Sequence, residues 1–308
     1  MKQERSKLQR PFIFGEVLFD EFEDGSAVLG GAPFNVAWHL QGFGANPLFA
    51  SRIGSDARGD QVVSSMDQWS MDQSALQRDD AHPTGRVSVT VKKGQPSFSI
   101  LPDQAYDHID LEPLREQLRM EEFGLLYYGS LIARSAVSRK TLLGVCQRVS
   151  CPSFVDINIR PPWWETERMN QLLPAARWLK LNDVELEQLT QEDTADRHHL
   201  NEVAQQLRQL YGISLLVVTE GAKGATMASA EGTRYFPSYP IEDVVDTVGA
   251  GDAFSAVTIL GLLRGWPEGL IMERAIAFAG EICRQRGATA LDPEPYRKLL
   301  HHWGEDQT

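Results

Sequence analysis

An α/β fold with a mainly parallel sheet covered by helices is the architecture this sequence predicts. Short apolar runs of strand length alternate with helix-period segments along most of the chain, the pattern of strand–helix–strand units. The 308 residues, 42% hydrophobic and 23% charged, have an ordinary globular composition with ample chain for a core. One stretch, 86–92, breaks the pattern: Arg-Val-Ser-Val-Thr-Val-Lys alternates with period two, as a strand with one apolar and one polar face does.

Residues 12–19 read as a buried strand, and 34–40 as the body of a helix stopped near Gly42 and Gly44. Runs at 47–53, 125–128, 154–157, 178–181 and 213–219 read as further strands. Helical periods at 60–69, 135–148, 165–173 and 201–211 lie among them. Lys93-Gly94-Gln95 turns the strand at 86–92 back into 97–101, and 25–29 supplies another short strand. These pieces form a small β layer on the α/β core; an ordinary edge hairpin has equal standing on pattern alone. Beyond Gly249 the chain becomes helical, at 251–263 and 268–286. Without a repeat or long linker, one domain spanning 1–308 is the simplest organisation.

A net charge of −12 works against general affinity for nucleic acid, which relies on clustered Lys and Arg. Backbone N–H groups can still bind a phosphate locally. Cys146, Cys151 and Cys283 form no CxxC pair and read as buried, reduced thiols, which fits a cytoplasmic setting. The first ten residues lack the apolar segment of a signal peptide, and no apolar run is long enough to span a membrane. The pairs His198-His199 and His301-His302 lack a third ligand at metal spacing and read as surface histidines.

The chemistry concentrates in Val244-Val245-Asp246-Thr247-Val248-Gly249-Ala250-Gly251-Asp252-Ala253-Phe254-Ser255. A strand-like lead enters a Gly-Ala-Gly turn that opens an apolar helix, presenting free N–H groups and the positive end of the helix dipole. Asp252 in that first turn either stabilises the helix, by ~0.3–1 kcal/mol, or accepts the proton of an attacking hydroxyl. The turn is not a P-loop, for no Gly-x-x-x-x-Gly-Lys-Ser/Thr occurs, nor a dinucleotide fingerprint, since Phe254 takes the third glycine position. Asn182 with Glu185 has the spacing of a helix capping box. Pro33 suits a first helical turn, with Gly30-Gly31 before it allowing close backbone approach. Pro161-Pro162 impose an extended exit after Arg160.

The segment 246–254 resembles the C-terminal signature of the ribokinase-like, or PfkB, sugar kinase family, and Gly30-Gly31-Ala32-Pro33-Phe34-Asn35-Val36-Ala37 resembles its N-terminal sugar signature. Between them, Gly15-Glu16-Val17-Leu18-Phe19-Asp20 is similar to the family's first strand. Asp156-Ile157-Asn158-Ile159-Arg160-Pro161-Pro162-Trp163-Trp164 is similar to the Asn-x-Arg-Pro stretch of its fructokinase-like members. Asn182-Asp183-Val184-Glu185 matches the Asn-x-x-Glu element, and the segment from Val218 to Ala225 the strand and turn beside the nucleotide.

The resemblance implies a ribokinase-like three-layer sandwich with a small β-sheet lid, from segments at about 20–31 and 85–101. It implies an ATP-dependent kinase in which Asp252 is the base, Gly249, Ala250 and Gly251 form the anion hole, and Arg160 offsets developing charge. Asp20, Gly30, Gly31, Asn35, Asn158 and Arg160 become sugar contacts; Asn182, Thr219, Gly221, Gly224, Gly249 and Gly251 become nucleotide contacts. Glu185 would act on Mg²⁺ through water, and Asp246 on a monovalent cation such as K⁺, near Gly287-Ala288-Thr289. Fructose is the implied sugar. Ala32, where ribokinase-type members have Lys, points away from ribose; 2-keto-3-deoxygluconate and nucleosides stay open, as does a non-catalytic sensor on the same fold. A homodimer through the lid is a further expectation, set against packing of Val87, Val89 and Val91 on their own core.

Overall fold

The apolar run at 12–19 divides at Gly15, and that division separates two sheets. The structure, a computed structural model, describes residues 8–92, 95–289 and 292–305. β1 (Arg10–Phe14) belongs to a large sheet, whereas β2 (Leu18–Phe22) enters a small one. Between them the Gly15 N–H donates to the Ala50 carbonyl at 3.1 Å, and a Cβ on Gly15 would stand 2.3 Å from Pro33 Cγ. No other residue could pass Pro33 there without displacing it.

β3 (Ala27–Gly30) precedes α1 (Ala32–Gly42), β4 (Leu48–Gly54), α2 (Ala57–Gln68) and β5 (Leu76–Asp79). The hairpin of β6 (Gly85–Lys92) and β7 (Gln95–Ile100) follows, then α3 (Arg115–Met120), β8 (Phe123–Gly129) and α4 (Ala136–Cys146). Next come β9 (Ser153–Asp156), α5 (Thr166–Leu172), β10 (Ala176–Asn182), α6 (Asp183–Thr190), α7 (Arg197–Leu210) and β11 (Leu215–Thr219). β12 (Gly224–Ser229) and β13 (Gly232–Pro237) precede α8 (Ala250–Arg264), α9 (Glu268–Ile282) and α10 (Glu294–His302).

The large sheet runs β13-β12-β11-β10-β9-β8-β1-β4-β5 and is parallel except at β12 and β13. Side chains alternate across it: Ile13 enters the core under α1, α8 and α9, and Phe12 and Phe14 the core on the other face. The small sheet, β3-β2-β6-β7, is mixed, with β2 and β6 parallel. Val87 and Val89 are buried within the second core, so they pack on their own chain. The side chain of Val91 and the turn at Lys93-Gly94 lie outside the described residues.

Three expectations need correction. The lead at Val244-Val245 is no strand: both valines are exposed, and the backbone bonds only through Val245 and Asp246 to the Cys283 carbonyl. Pro161-Pro162 turn the chain, with the Trp163 N–H donating to Arg160 O, instead of extending it. Only Cys283 is buried; Cys146 and Cys151 are half-buried, and all three are unbridged. Among the described residues no helix is long and apolar enough to cross a membrane.

His39, on α1, is wholly enclosed. Its Nε2 contacts the Ala288 carbonyl at 3.0 Å and its Nδ1 the Tyr296 hydroxyl at 2.8 Å, joining α1 to α10 and the loop after α9. A carbonyl can only accept, so Nε2 carries the proton and Nδ1 accepts from Tyr296. Burial pushes His39 down from 6.5 to about 3. The unfolded chain therefore takes up this proton first as pH falls, and the stabilising neutral contact weakens below about pH 6.5. Gln at this position keeps a donor for Ala288 but does not titrate. The stability advantage of wild type over His39→Gln is expected to shrink by about 2 kcal/mol from pH 8 to pH 5, measured by urea unfolding. Parallel pH dependence of the two proteins would show that His39 titrates alike in the folded and unfolded chain.

Candidate active site

The carboxyl ends of β1, β8, β9, β10 and β11 lie on one edge of the large sheet. The chain winds outward from β1 to β5, then returns to β1's other flank at β8. Ligands of open parallel sheets bind outside such a reversal. Glu16 follows β1, Asp156 ends β9, and Asn182 and Thr219 pair in register at the ends of β10 and β11.

α8 starts on this edge. Gly249 caps it with φ 82°, and a Cβ there would lie 2.4 Å from the Ala288 Cβ, so this residue must be glycine for both backbone and space. The Ala250 N–H is already bonded to the Thr247 carbonyl at 3.3 Å. Helix geometry leaves the Gly251 and Asp252 N–H groups facing outward without intrahelical partners. Asp252 is held by Asn35 of the neighbouring α1, whose Nδ2 donates to Oδ2 at 2.7 Å. Burial raises Asp252 to about 6; the Asn35 hydrogen bond, Lys180 and Arg160 restrain that rise, while Asp156 adds to it.

Beneath the turn lies a buried network that motif reading missed. Lys180 Nζ contacts both Asp156 oxygens, at 3.0 and 2.8 Å, and the Ser255 hydroxyl donates to Asp156 Oδ2 at 2.8 Å. The Tyr127 hydroxyl reaches the same oxygen at 3.4 Å. Burial pulls the Lys180 ammonium down, but Asp156 more than offsets this and leaves it above its ordinary value. The ammonium lies just under the anion-binding turn, 3.4 Å from where a Gly251 Cβ would be. The available signal was a Lys and an Asp inside otherwise apolar strands, for buried charges occur in pairs.

Toward the small sheet, Asp20 stands on β2 without a hydrogen-bond partner among the described residues, raised by burial to about 6. Glu16, also missed, is 2% exposed, and burial raises it to about 7. The charge of the exposed Arg160 lowers Glu16, Asp20 and Asp252 alike. Glu16 Oε2, Asn35 Oδ1, Tyr106 OH and Arg134 Nη1 are buried polar atoms without a partner in the described protein. Glu16, Tyr106 and Arg134 act on one another electrostatically, which groups them. Gly31, at φ 108°, owes its identity to the chain itself: a Cβ would lie 2.8 Å from the Glu16 carbonyl oxygen. Gly30 ends β3, where a Cβ would lie 3.8 Å from Asn35 Oδ1, and Asn158 follows β9 at φ 45°.

At the end of β10, Asn182 and Glu185 form a complete capping box, each side chain accepting from the other's N–H at 2.8 Å. Glu185 also accepts from the Ile159 N–H at 2.8 Å, so one carboxylate ties the end of β10 to the loop bearing Asn158 and Arg160. Gly221, at φ 57°, follows Thr219 in an exposed turn. Gly224 opens β12 at φ 124°, where a Cβ would meet the Phe236 carbonyl oxygen at 2.1 Å. Asp246 accepts from the Val248 and Gly287 N–H groups at 3.0 and 3.1 Å, drawing the loop before α8 and the loop after α9 together.

A model of the pfkB family carbohydrate kinases matches residues 11–295. The chain belongs to that family. It is a carbohydrate kinase. The fructokinase of Salmonella typhimurium is 27% identical over 307 residues, 94% of this chain and 97% of that one. Among solved structures, the Xylella fastidiosa fructokinase with bound ATP has a TM-score of 0.82 at 23% identity, covering 97% of this chain and 100% of that chain. The Vibrio cholerae fructokinase, bound to fructose, ADP and calcium ion, has a TM-score of 0.77 at 23% identity, over 92% and 95% of the two chains. A double mutant of the Vibrio enzyme was solved with fructose, ADP and potassium ion. The fold is accordingly ribokinase-like, with the smaller sheet alongside the larger.

In this kinase the contact of Lys180 with Asp156 joins β10 to β9, and Ser255 adds α8. Removing one partner of a buried pair leaves an uncompensated charge, typically at a cost of 3–5 kcal/mol. Lys180→Met is expected to lose about that much stability, and Lys180→Met with Asp156→Asn to lose clearly less. Urea unfolding of both proteins tests the pairing; equal losses would mean that the charges do not compensate each other.

Proposed function

We propose that this kinase transfers the γ-phosphoryl group of ATP to a primary hydroxyl of a small neutral sugar, fructose foremost. The observation that carries the reading is the partly desolvated Asp252 carboxylate, held by Asn35 beside the open N–H groups that start α8. A base there takes the proton of the sugar hydroxyl as its oxygen attacks phosphorus. The Gly251 and Asp252 N–H groups, with the α8 dipole, hold the transferring group's oxygens, and Lys180 adds positive charge from beneath. Arg160 supplies charge as well.

The unpartnered Glu16, Asn35, Tyr106 and Arg134 atoms suit a ligand rich in hydroxyl groups, for each otherwise stays desolvated without a hydrogen bond. Arg134 is neutralised by Asp107 at 2.6 Å, which leaves Glu16 and Asp20 against Arg160. That balance disfavours an acid sugar such as 2-keto-3-deoxygluconate, and Ala32 supports fructose over ribose. Glu185 suits an outer-sphere role toward Mg²⁺: it is an oxygen donor, and each oxygen keeps a second lone pair after bonding one N–H. Bound Mg²⁺ would neutralise charge on the nucleotide phosphates. Asp246 offers oxygen donors of the same kind to K⁺. The small sheet, carrying Asp20 over the cleft, is the lid that excludes water, on one domain spanning the chain. Val28 and Phe98, exposed on the same sheet face as Asp20, support a homodimer through this lid. Unbridged cysteines support a cytoplasmic setting.

ADP release is to be measured across fructose, ribose, 2-keto-3-deoxygluconate and adenosine. Fructose should give the highest kcat/KM; no rate with fructose but a rate with another substrate overturns the sugar assignment. Binding without turnover across the whole panel would make the chain a sensor. Asp252→Asn should lower kcat by about 10²–10⁴-fold without loss of stability, and an active variant would refute the base. Because Asp252 is raised to about 6, kcat/KM should fall as pH drops through 6, when the base is protonated. Asn35→Ala removes a hydrogen bond to the charged form and should move that limb upward. A limb near the ordinary carboxylate value of about 4, or unmoved in the variant, contradicts the mechanism.

A further inference from the structure

We propose that His82, Asp103 and His108 form a site for a divalent metal of the zinc class, at the base of the β6–β7 hairpin and distinct from the magnesium site. His108 Nε2 lies 2.8 Å from Asp103 Oδ1, and His82 Nε2 lies 3.6 Å from the same oxygen. The three ligand atoms all fall within 4.8 Å of one another.

The proton on His82 decides the chemistry. Its Nδ1 is 3.1 Å from Asp79 Oδ2. Asp79 is buried, accepts from the N–H groups of Ala81 and His82 at 2.8 and 2.9 Å, and forms an ion pair with Arg52, whose Nε lies 2.7 Å away. An ionised carboxylate only accepts, so Nδ1 donates to it. In the neutral ring, Nε2 is left with its lone pair, facing the carboxylate oxygen of Asp103. Asp103 Oδ1 already accepts from the His108 Nε2–H at 2.8 Å, so a bound metal would release that proton and take both imidazole nitrogens and the carboxylate as ligands.

The donor set favours the metal. Two imidazole nitrogens and one carboxylate oxygen are ligands of zinc-class ions, whereas Mg²⁺ prefers oxygen alone. A carboxylate behind a histidine, here Asp79, is the partner that orients a ligating ring. The rings are stacked, with centroids 3.6 Å apart and planes at 14°, so their lone pairs run nearly parallel. Binding would splay them by side-chain rotation, for which both have room, being about a quarter exposed at 25% and 26%. Asp103, 73% exposed, leaves the outward positions to water.

Placement gives the site a consequence. His82 precedes the first residue of β6 by three positions, and Asp103 follows the last residue of β7 by three. His108 ends the short helix Ala105–His108, whose first N–H already bonds the Pro83 carbonyl at 2.8 Å. One ion would tie both ends of the hairpin to that helix.

The test uses the full chain, tag-free and treated with chelator, titrated with Co²⁺ and followed by its visible absorption. One equivalent should bind, be displaced by Zn²⁺, and survive excess Mg²⁺. His82→Ala and His108→Ala should each weaken binding at least tenfold. His199→Ala, at an exposed cluster with Glu192 and Glu202, should leave it unchanged. With ¹⁵N-histidine in the wild-type chain, Zn²⁺ should shift the Nε2 signals of two of the seven histidines, a readout independent of variant folding. Binding that is equal in wild type and both variants, or no Nε2 shift, overturns the metal site.

Discussion

Lys180 is enclosed in the large sheet directly under the turn that opens α8, and its ammonium can stay charged there only because Asp156 faces it. Ser255 and Tyr127 complete the shell of Asp156, so β8, β9, β10 and α8 all meet at one carboxylate. Desolvated charges tolerate little displacement, because Coulomb attraction in a low-dielectric interior is steep and unscreened. The level of α8 against the sheet edge is therefore held by polar contacts rather than by apolar packing alone. Asp252, one turn of helix before Ser255's neighbours, inherits its position from that attachment.

The carboxylates of the cleft carry the opposite imbalance. Glu16, Asp20 and Asp252 are all raised by burial, and the charge that lowers all three comes from Arg160, which is itself exposed. Such a site is held short of full satisfaction by its own protein. Orphaned acceptors and donors cost stability in the empty cleft and are relieved by a ligand with matching hydroxyl groups.

The sheet and most helices were legible because their signals are local. Runs such as 154–157 and 213–219 are apolar on both faces, as buried parallel strands must be, and the helix at 57–68 shows one apolar stripe. The run at 12–19 misled, since hydrophobicity is the same on both sides of Gly15 and only the approach of Pro33 shows that the strand ends there. Val244 and Val245 misled for the converse reason: apolar residues on an exposed segment look like a strand in sequence. Asp252, Asn35 and Glu185 could be found from motifs, but the contact of Asn35 with Asp252 joins residues 217 positions apart. Lys180, Glu16 and the histidines around Asp103 depend on where loops come together, which no spacing along the chain encodes.

Gly249 and Gly251 look alike in the motif and differ in what they report when altered. At Gly249 the obstacle to a side chain is Ala288 and a left-handed backbone, so any substitution there is a packing lesion that would silence the enzyme whatever its chemistry. At Gly251 an added methyl would meet only the Lys180 ammonium, at ordinary contact distance. The second glycine is thus the position at which a mutational survey reads electrostatics, and the first is a control for architecture.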